Sequence, residues 1–587
     1  LVRDAIANSV IGFCEHLPAF AFQKVDELLV SAKAETLVSQ FSIRTTDCID
    51  DLGQAVEDTI MPFYRSDLGP LFHDLRESLD ALQHRVSHVP FDVQNRHSAK
   101  LIMPSNHDGN PLDFVEGTPL LMLFDTQLPF EIKGDIRFSG MWVVAPPGRG
   151  KTTLLSNLLE SDLDAVAEGK ASVILMDSKG DLVGEAKRLQ MFAPGGKLHG
   201  KLVLIEPWET LAINPLDLGA STGHTIALLE YVFSSLLESQ MTPLQGTLFR
   251  AVLILCKAIP NANFFTFRDI LLGGWRPYEG YVRALDREDA LFFAGGEFDS
   301  QTYKKTREEL TWRIRDLTTR VPLLRGMFRA EKTLIDIGKE MDAGKVIIID
   351  NSVATLSAGS EFFSRFFIAL VRSAAEQRAG RKQADKMPVY FYIDEADTVI
   401  SRDESVREII QRCRSQNIAM IFAHQALQQI KSDDVKAALT DCAIRLANSD
   451  EEAPQLAPRM RTDPEFLRDL KRGEFATFIR DKTKKAIALS VPNKPVSKWP
   501  KMSLAQLDEI RGEMKSAYCC TREKPKAKSV YEDGVDDELE DEAEEEKEFI
   551  DAEFVEVGYE EKLRLTYDSN EPPSTPQPKR RRRRRKE

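Results

Sequence analysis

Cysteine is scarce and unpatterned in this sequence. The 587 residues hold seven cysteines, with no Cys-x-x-Cys pair and no Cys/His cluster at metal-ligand spacing. The adjacent Cys519 and Cys520 do not make a zinc knuckle. This excludes a disulfide framework and a structural zinc site, and predicts reduced thiols in a cytosolic compartment. Long apolar runs are also missing. A spanning helix needs about eighteen apolar residues, and the best candidate, residues 5–30, is broken by Glu15, His16, Lys24 and Asp26. No segment carries the basic, apolar and small-residue regions of a secretory leader in order. The chain starts at Leu1 rather than Met, so a membrane anchor upstream would not be visible in it.

A net positive charge is lacking too, the formal charge being −14. That acidity is local. Residues 532–561 carry about sixteen net negative charges, which leaves the remainder close to neutral and does not exclude nucleic acid as a partner.

What is present divides the chain into regions. Residues 1–94 read as a helical, amphipathic region, in which Leu71, Leu75, Leu79 and Leu82 recur at helical spacing between charges. A polar segment with the turn signal Asp108-Gly109-Asn110 follows. From Met141 the pattern changes to short apolar strands alternating with helices. Strands are expected at 141–145, 172–176, 202–205, 346–349, 389–393 and 418–423, each apolar on both faces as in a parallel sheet covered on both sides. Residues 118–219 and 340–500 therefore read as two parts of one α/β domain. Between them, residues 220–339 lose the strand signal, and "HTIALLEYVFSSLLES" and "QTYKKTREELTWRIRDLTTRV" predict an inserted all-α domain. After Arg472-Gly473, "EFATFIRDKTKKAIALSV" predicts a closing β-hairpin. Residues 501–587 form an extension whose acidic, Pro-rich and arginine-rich end cannot bury enough apolar surface to fold alone, and a disordered tail is expected there.

The segment "MWVVAPPGRGKTTLL" is a strand, a tight loop and a helix start in that order. This is a P-loop. Gly148 and Gly150 let the backbone wrap a phosphate so that amide N–H groups point inward, at the N-terminus of a helix whose dipole favours negative charge. Pro147, Gly148, Arg149, Gly150, Lys151, Thr152 and Thr153 are the expected nucleotide-binding residues. Lys151 is expected to reach the β and γ phosphates of ATP, and the Thr152 hydroxyl to ligate Mg²⁺. Ala145 stands where GxxxxGK[ST] has its first glycine.

The run "VYFYIDEAD" is a buried strand ending in two carboxylates, at the strand end where α/β sheets bind ligands. Asp394 is the expected Mg²⁺ partner, and Glu395 the expected general base that polarises the attacking water. A helix with the packing stripe Val406, Ile409, Ile410 and Cys413 comes next, followed by a strand ending near Gln425. Gln425 either senses the γ-phosphate or is a polar residue leaving a strand.

The order of these pieces resembles the HerA/FtsK superfamily of P-loop motors, and within it the TraD/TraG-type coupling proteins of bacterial conjugation and type IV secretion. The resemblance covers residues 118–491 and rests on "MDSKGDL" (176–182), "INPLDL" (213–218), the all-α segment after it, and Arg414 eleven residues before Gln425. It implies a RecA-like ATPase fold and a ring, usually of six copies, with ATP between neighbours and DNA through the centre. Relaxosome or secretion-channel proteins are the implied partners. Arg414 would then be an arginine finger reaching the next subunit's site, where a trans arginine is typically worth about 10³–10⁵ in rate; the alternative is an ion pair on its own helix face. The implied place of action is the cytoplasm, with inner-membrane association through partners or an upstream segment. A HerA-like DNA-processing translocase, and a secretion or assembly ATPase that threads no DNA, share the same motifs. Arg580–Arg585 in the tail suits electrostatic tethering to phosphate, anionic lipid or an acidic partner.

Overall fold

Short runs of Val, Ile, Leu and aromatic residues form the strands because helices cover both of their faces. In the structure, a computed structural model, the strands in chain order are β1 (Ser42–Arg44), β2 (Gln127–Pro129), β3 (Met141–Val144), β4 (Ser172–Asp177), β5 (Leu202–Ile205), β6 (Val346–Ile349), β7 (Val389–Asp394), β8 (Ile418–His424), β9 (Ile444–Ala447), β10 (Glu474–Ile479) and β11 (Ile487–Ser490). Residues 1–18, 41–92, 97–132, 134–208, 211–217, 242–320, 329–356, 359–401 and 406–519 are described, with a few single positions between them. The acidic and arginine-rich tail and most of "HTIALLEYVFSSLLES" lie outside the described residues.

The strands form one sheet in the order β2-β1-β11-β10-β9-β3-β8-β7-β4-β6-β5. The seven from β9 to β5 are parallel, and β10, β11, β1 and β2 extend them antiparallel. The alternating side chains serve two cores. Trp142, Ile174, Phe391 and Phe422 face one of them, packed with the Gly359–Gln377 helix. Val143, Val173, Tyr392 and Ile421 face the other, packed with Leu154, Leu155, Leu158 and Leu163 of the Lys151–Ala167 helix.

The six expected parallel strands are all present within a residue of their expected ends, and the hairpin is β10–β11. Three strands differ from expectation, one of them Gln127–Pro129, which pairs with Ser42–Arg44. Ser42–Arg44 lies in the stretch read as helical yet extends the sheet, because Ile43 is held between Leu128 and Leu489 on the flanking strands. Its three residues are too short to show alternation. β9 was not expected because Arg445 interrupts its apolar run, and the guanidinium is accommodated over the ring of Phe478. The N-terminal stretch does contain the helices Val2–Glu15, Leu52–Ile60 and His73–Val86.

From residue 242 to residue 342 the described residues are helix, turn or loop. The helices Pro243–Ala258, Phe264–Gly273 and Gln301–Arg320 close around Phe249, Phe267, Phe292, Phe293 and Phe298. Asn214, buried in "INPLDL", ties this segment at two places to the loop that follows β5. Its side-chain amide donates to the carbonyls of Ala262 (2.8 Å) and Glu331 (2.9 Å), and its own N–H donates to Thr333 Oγ1 (2.9 Å).

Candidate functional site

The loop 145–150 leaves β3 and enters the Lys151–Ala167 helix. Gly148 (φ +84°) and Gly150 (φ +109°) take left-handed backbone that other residues adopt at a cost. Gly150 also packs on Gly473, whose Cα lies 3.3 Å from where a Cβ would stand, so a side chain here would be crowded as well as strained. Ala145 has no positive φ, which is why a glycine is not needed there. Among the described residues no carbonyl accepts the backbone N–H of Gly148, Gly150, Lys151, Thr152 or Thr153. Five free donors at the start of a 17-residue helix make an anion cradle.

Carboxylates face this cradle. β4 and β7 pair in register, so that Asp177 stands beside Asp394 at their C-terminal ends. Lys151 Nζ donates to Asp394 Oδ1 and, at 3.1 Å, to Glu395 Oε1. Gln425 Nε2 donates to the same Glu395 oxygen at 2.9 Å. Gln425 reaches it because β8 lies between β3 and β7, which delivers its C-terminus between the loop and the carboxylates. Glu395 has φ +51°, a strained conformation for a residue with a Cβ, and its N–H donates to Asp394 Oδ1 at 2.9 Å. Such strain is held where surrounding packing fixes the backbone, and here it turns the carboxylate back toward the cleft.

Burial raises Asp394 to about 6, with Asp177 and Glu395 adding to the rise against the pull of Lys151. Asp177 is raised by burial too, although the N–H groups of Leu182 (2.8 Å) and Lys179 (2.9 Å) donate to it. Burial alone would lower Lys151, but Asp394 and Glu395 more than offset it and hold the ammonium charged. Three buried carboxylates around one ammonium leave negative charge to be balanced. A divalent cation fits that deficit, and the Thr152 hydroxyl and Asp394 both line the cleft that would hold it.

The cleft has a volume of about 240 Å³. Of the residues expected from sequence, Pro147, Gly148, Gly150, Lys151, Thr152, Thr153, Asp394, Glu395 and Gln425 line it. A strand that leads through a free-amide loop into a helix, faced by a carboxylate pair on a parallel neighbour two strands away, decides the fold type.

The fold is that of a P-loop nucleoside triphosphatase.

No family model matches the chain, and no curated protein is similar to it. Solved structures do resemble this chain. The TrwBdeltaN70 form of a bacterial conjugative coupling protein is 12% identical, with 64% of this chain and 89% of that chain covered and a TM-score of 0.46. The coupling protein TrwB in complex with the ATP analogue ADPNP is 13% identical, covering 64% and 90%, with a TM-score of 0.47. VirB4 of Thermoanaerobacter pseudethanolicus is 15% identical, covering 64% and 95%, with a TM-score of 0.42.

Two expected residues stand apart from the cleft. The Arg149 side chain pairs with Asp450 at 2.6 Å instead of lining it. Arg414, at the end of the Val406–Arg414 helix, is exposed and has no ion-pair partner among the described residues. Five lining residues carried no expected role: Pro146, Asp177, Lys179, Asp181 and Arg472. Asp177 gave the same signal as Asp394, a carboxylate ending a buried strand. Lys179 pairs with Asp181 at 2.9 Å. Arg472 arrives with Gly473 from a segment far along the chain and gave no local signal. No helix among the described residues is long and apolar enough to cross a membrane.

Proposed function

We propose that this chain is an ATP-hydrolysing subunit of a DNA-translocating motor, the coupling component that delivers DNA or nucleoprotein to a type IV secretion or conjugation channel. The observation that carries the chemistry is the run of contacts Lys151–Asp394–Glu395–Gln425 at the mouth of an unsatisfied amide cradle. The free N–H groups of Gly148, Gly150, Lys151, Thr152 and Thr153 hold the phosphates. Lys151 exchanges its carboxylate partners for the β and γ phosphates, a short movement for a flexible side chain. Thr152 and Asp394 would hold Mg²⁺, which when bound neutralises charge between the phosphates. Glu395 takes the proton of the attacking water, and the Gln425 amide fixes which way its carboxylate points.

The motor reading is supported by the order of motifs. Its substrate is carried by sequence resemblance. An arginine that serves a neighbouring subunit must stand outside its own cleft and be free of ion pairs. Arg414 meets both conditions, in keeping with a homo-hexamer whose sites are shared between subunits. Residues 118–219 and 340–500 would form the ATPase domain, and 220–339 an insertion clamped by Asn214. The expected place of action is the cytoplasm, at the inner membrane through relaxosome or channel partners.

The test is ATP hydrolysis against DNA concentration at two salt levels, for the full chain and for protein ending at Tyr531. Stimulation in both supports a grip on DNA outside the tail. Stimulation that vanishes with the tail assigns it to the arginine run. No stimulation in either, with the ring assembled, favours a secretion ATPase that threads no DNA.

A further inference from the structure

At the end of the sheet remote from the cleft, two arginines meet on one buried aromatic ring. β9 and β10 run antiparallel with Arg445 directly opposite Phe478. The guanidinium carbon of Arg445 lies 4.2 Å from the Phe478 ring centroid, and that of Arg461 lies 4.7 Å from it. Arg480 follows β10, and its N–H donates to the carbonyl of Ala443, the residue before β9 (2.8 Å). Each such cation–π contact is worth about 0.5–2 kcal/mol, enough to hold the guanidinium groups in place but not to neutralise them.

Counter-charge is what this cluster lacks. None of Arg445, Arg461 and Arg480 has an ion-pair partner among the described residues. Asp441, at the end of the Asp433–Thr440 helix, is taken by Arg407 at 3.0 Å, and Arg480 reaches only its main-chain carbonyl. Arg445 is only 7% exposed; its Nη1 donates to the carbonyl of Thr440 at 2.8 Å, while its Nε has no partner. Burial, followed by the repulsion of Arg461 and Arg480, pushes it down to about 10. In the turn after Arg480, exposed Lys482 adds a further cation, Asp481 is the one carboxylate, and Lys484 is engaged by Asp50.

Arginines brought together without an anion are an arrangement that gains by receiving one. The planar guanidinium fork matches phosphate oxygens in pairs. A single phosphate satisfies one or two forks, whereas a repeating backbone satisfies a row of them. The chain outside its tail is close to neutral, so a grip on a polyanion needs local concentrations of this kind. We infer that Arg445, Arg461 and Arg480 form a binding site for the phosphate backbone of nucleic acid, held without regard to sequence. The inference rests on the motor reading for the kind of polyanion; the site itself rests on the cluster.

The test is binding of labelled duplex DNA of arbitrary sequence to the full chain. The proteins compared are the parent, R461Q/R480Q and R461K/R480K. Each phosphate contact contributes about 0.9 to the slope of log affinity against log salt, so the Gln pair should flatten the slope by about 1.8. Between about 50 and about 200 mM salt the parent should then lose about 12-fold more affinity than the Gln pair. The Lys pair should keep most of the parent slope. If the Gln pair lowers the melting temperature, R461N alone serves, because asparagine tolerates the left-handed backbone of Arg461 (φ +54°). Its expected slope change is about 0.9. Parent-like slopes in well-folded variants that still bind DNA would overturn the site and leave the motor reading intact. A parent that binds no DNA would overturn the motor reading itself.

Discussion

Arg137 is a strut between the two halves of the cleft, and its removal gives a quantitative test. Its guanidinium is 3% exposed and grips Asp162 of the Lys151–Ala167 helix with both forks, Nη1–Oδ1 at 2.8 Å and Nη2–Oδ2 at 2.7 Å. Nη2 also donates to the hydroxyl of Tyr392 on β7 (2.9 Å), which in turn donates to Asp162, and the guanidinium lies 4.2 Å from the Tyr390 ring. The helix that begins in the phosphate loop is thereby pinned to the strand that carries Asp394. In R137M, Asp162 keeps its burial and loses its counter-charge, and breaking a buried pair from one side typically costs about 3–5 kcal/mol. R137M/D162L removes both charges and should recover to within about 1–2 kcal/mol of the parent, the residue being the orphaned Tyr392 hydroxyl. Urea unfolding, followed through the fluorescence of buried Trp142 on β3, measures all three. Arg137 is not such a strut if R137M lies within about 1 kcal/mol of the parent, or if the double variant is no more stable than the single one.

Further outcomes follow from the cleft. Lys151→Ala should abolish turnover, whereas Glu395→Gln should bind nucleotide and stop hydrolysis; a parent-like rate in Glu395→Gln would remove it as the base. Arg414→Ala should bind nucleotide normally and lose DNA-stimulated hydrolysis, and mixing it with Lys151→Ala protein should restore part of the activity. No restoration in rings shown to be mixed argues against action in trans. His424 is held neutral: burial lowers it to about 4, Trp142 Nε1 donates to its Nε2 at 2.8 Å, and its Nδ1 side meets the carbonyl of Ala426 at 3.0 Å. The unfolded chain binds that proton more tightly, so the stability it contributes is complete above about pH 6.5 and is lost toward pH 4, about 3 kcal/mol in all. Melting curves of the parent and His424→Gln across this range should converge at the acid end; parallel curves would rule the histidine out.

The sequence alone determined the elements whose cause is local. A strand buried on both faces must be apolar along its length, and all six runs of that kind became parallel strands. The turn into the Lys151–Ala167 helix needs glycine at positive φ, so the phosphate loop was legible residue by residue. The carboxylates at the end of β7 were legible for the same reason, since charge directly after a buried strand has only the strand's open end to occupy.

Which strands become neighbours was decided only in the tertiary structure. Asp177 joins the site through the register of β4 against β7, and Gln425 touches Glu395 because β8 is inserted between β3 and β7. Arg472 and Gly473 close the loop from more than three hundred residues along the chain. β1 and β9 exist because partners on either side complete their hydrogen bonds, and Arg445 is tolerated in a strand because Phe478 lies opposite it. Strand order and register follow from how distant segments pack on both faces of the sheet, and a local pattern of apolar residues carries no record of that choice.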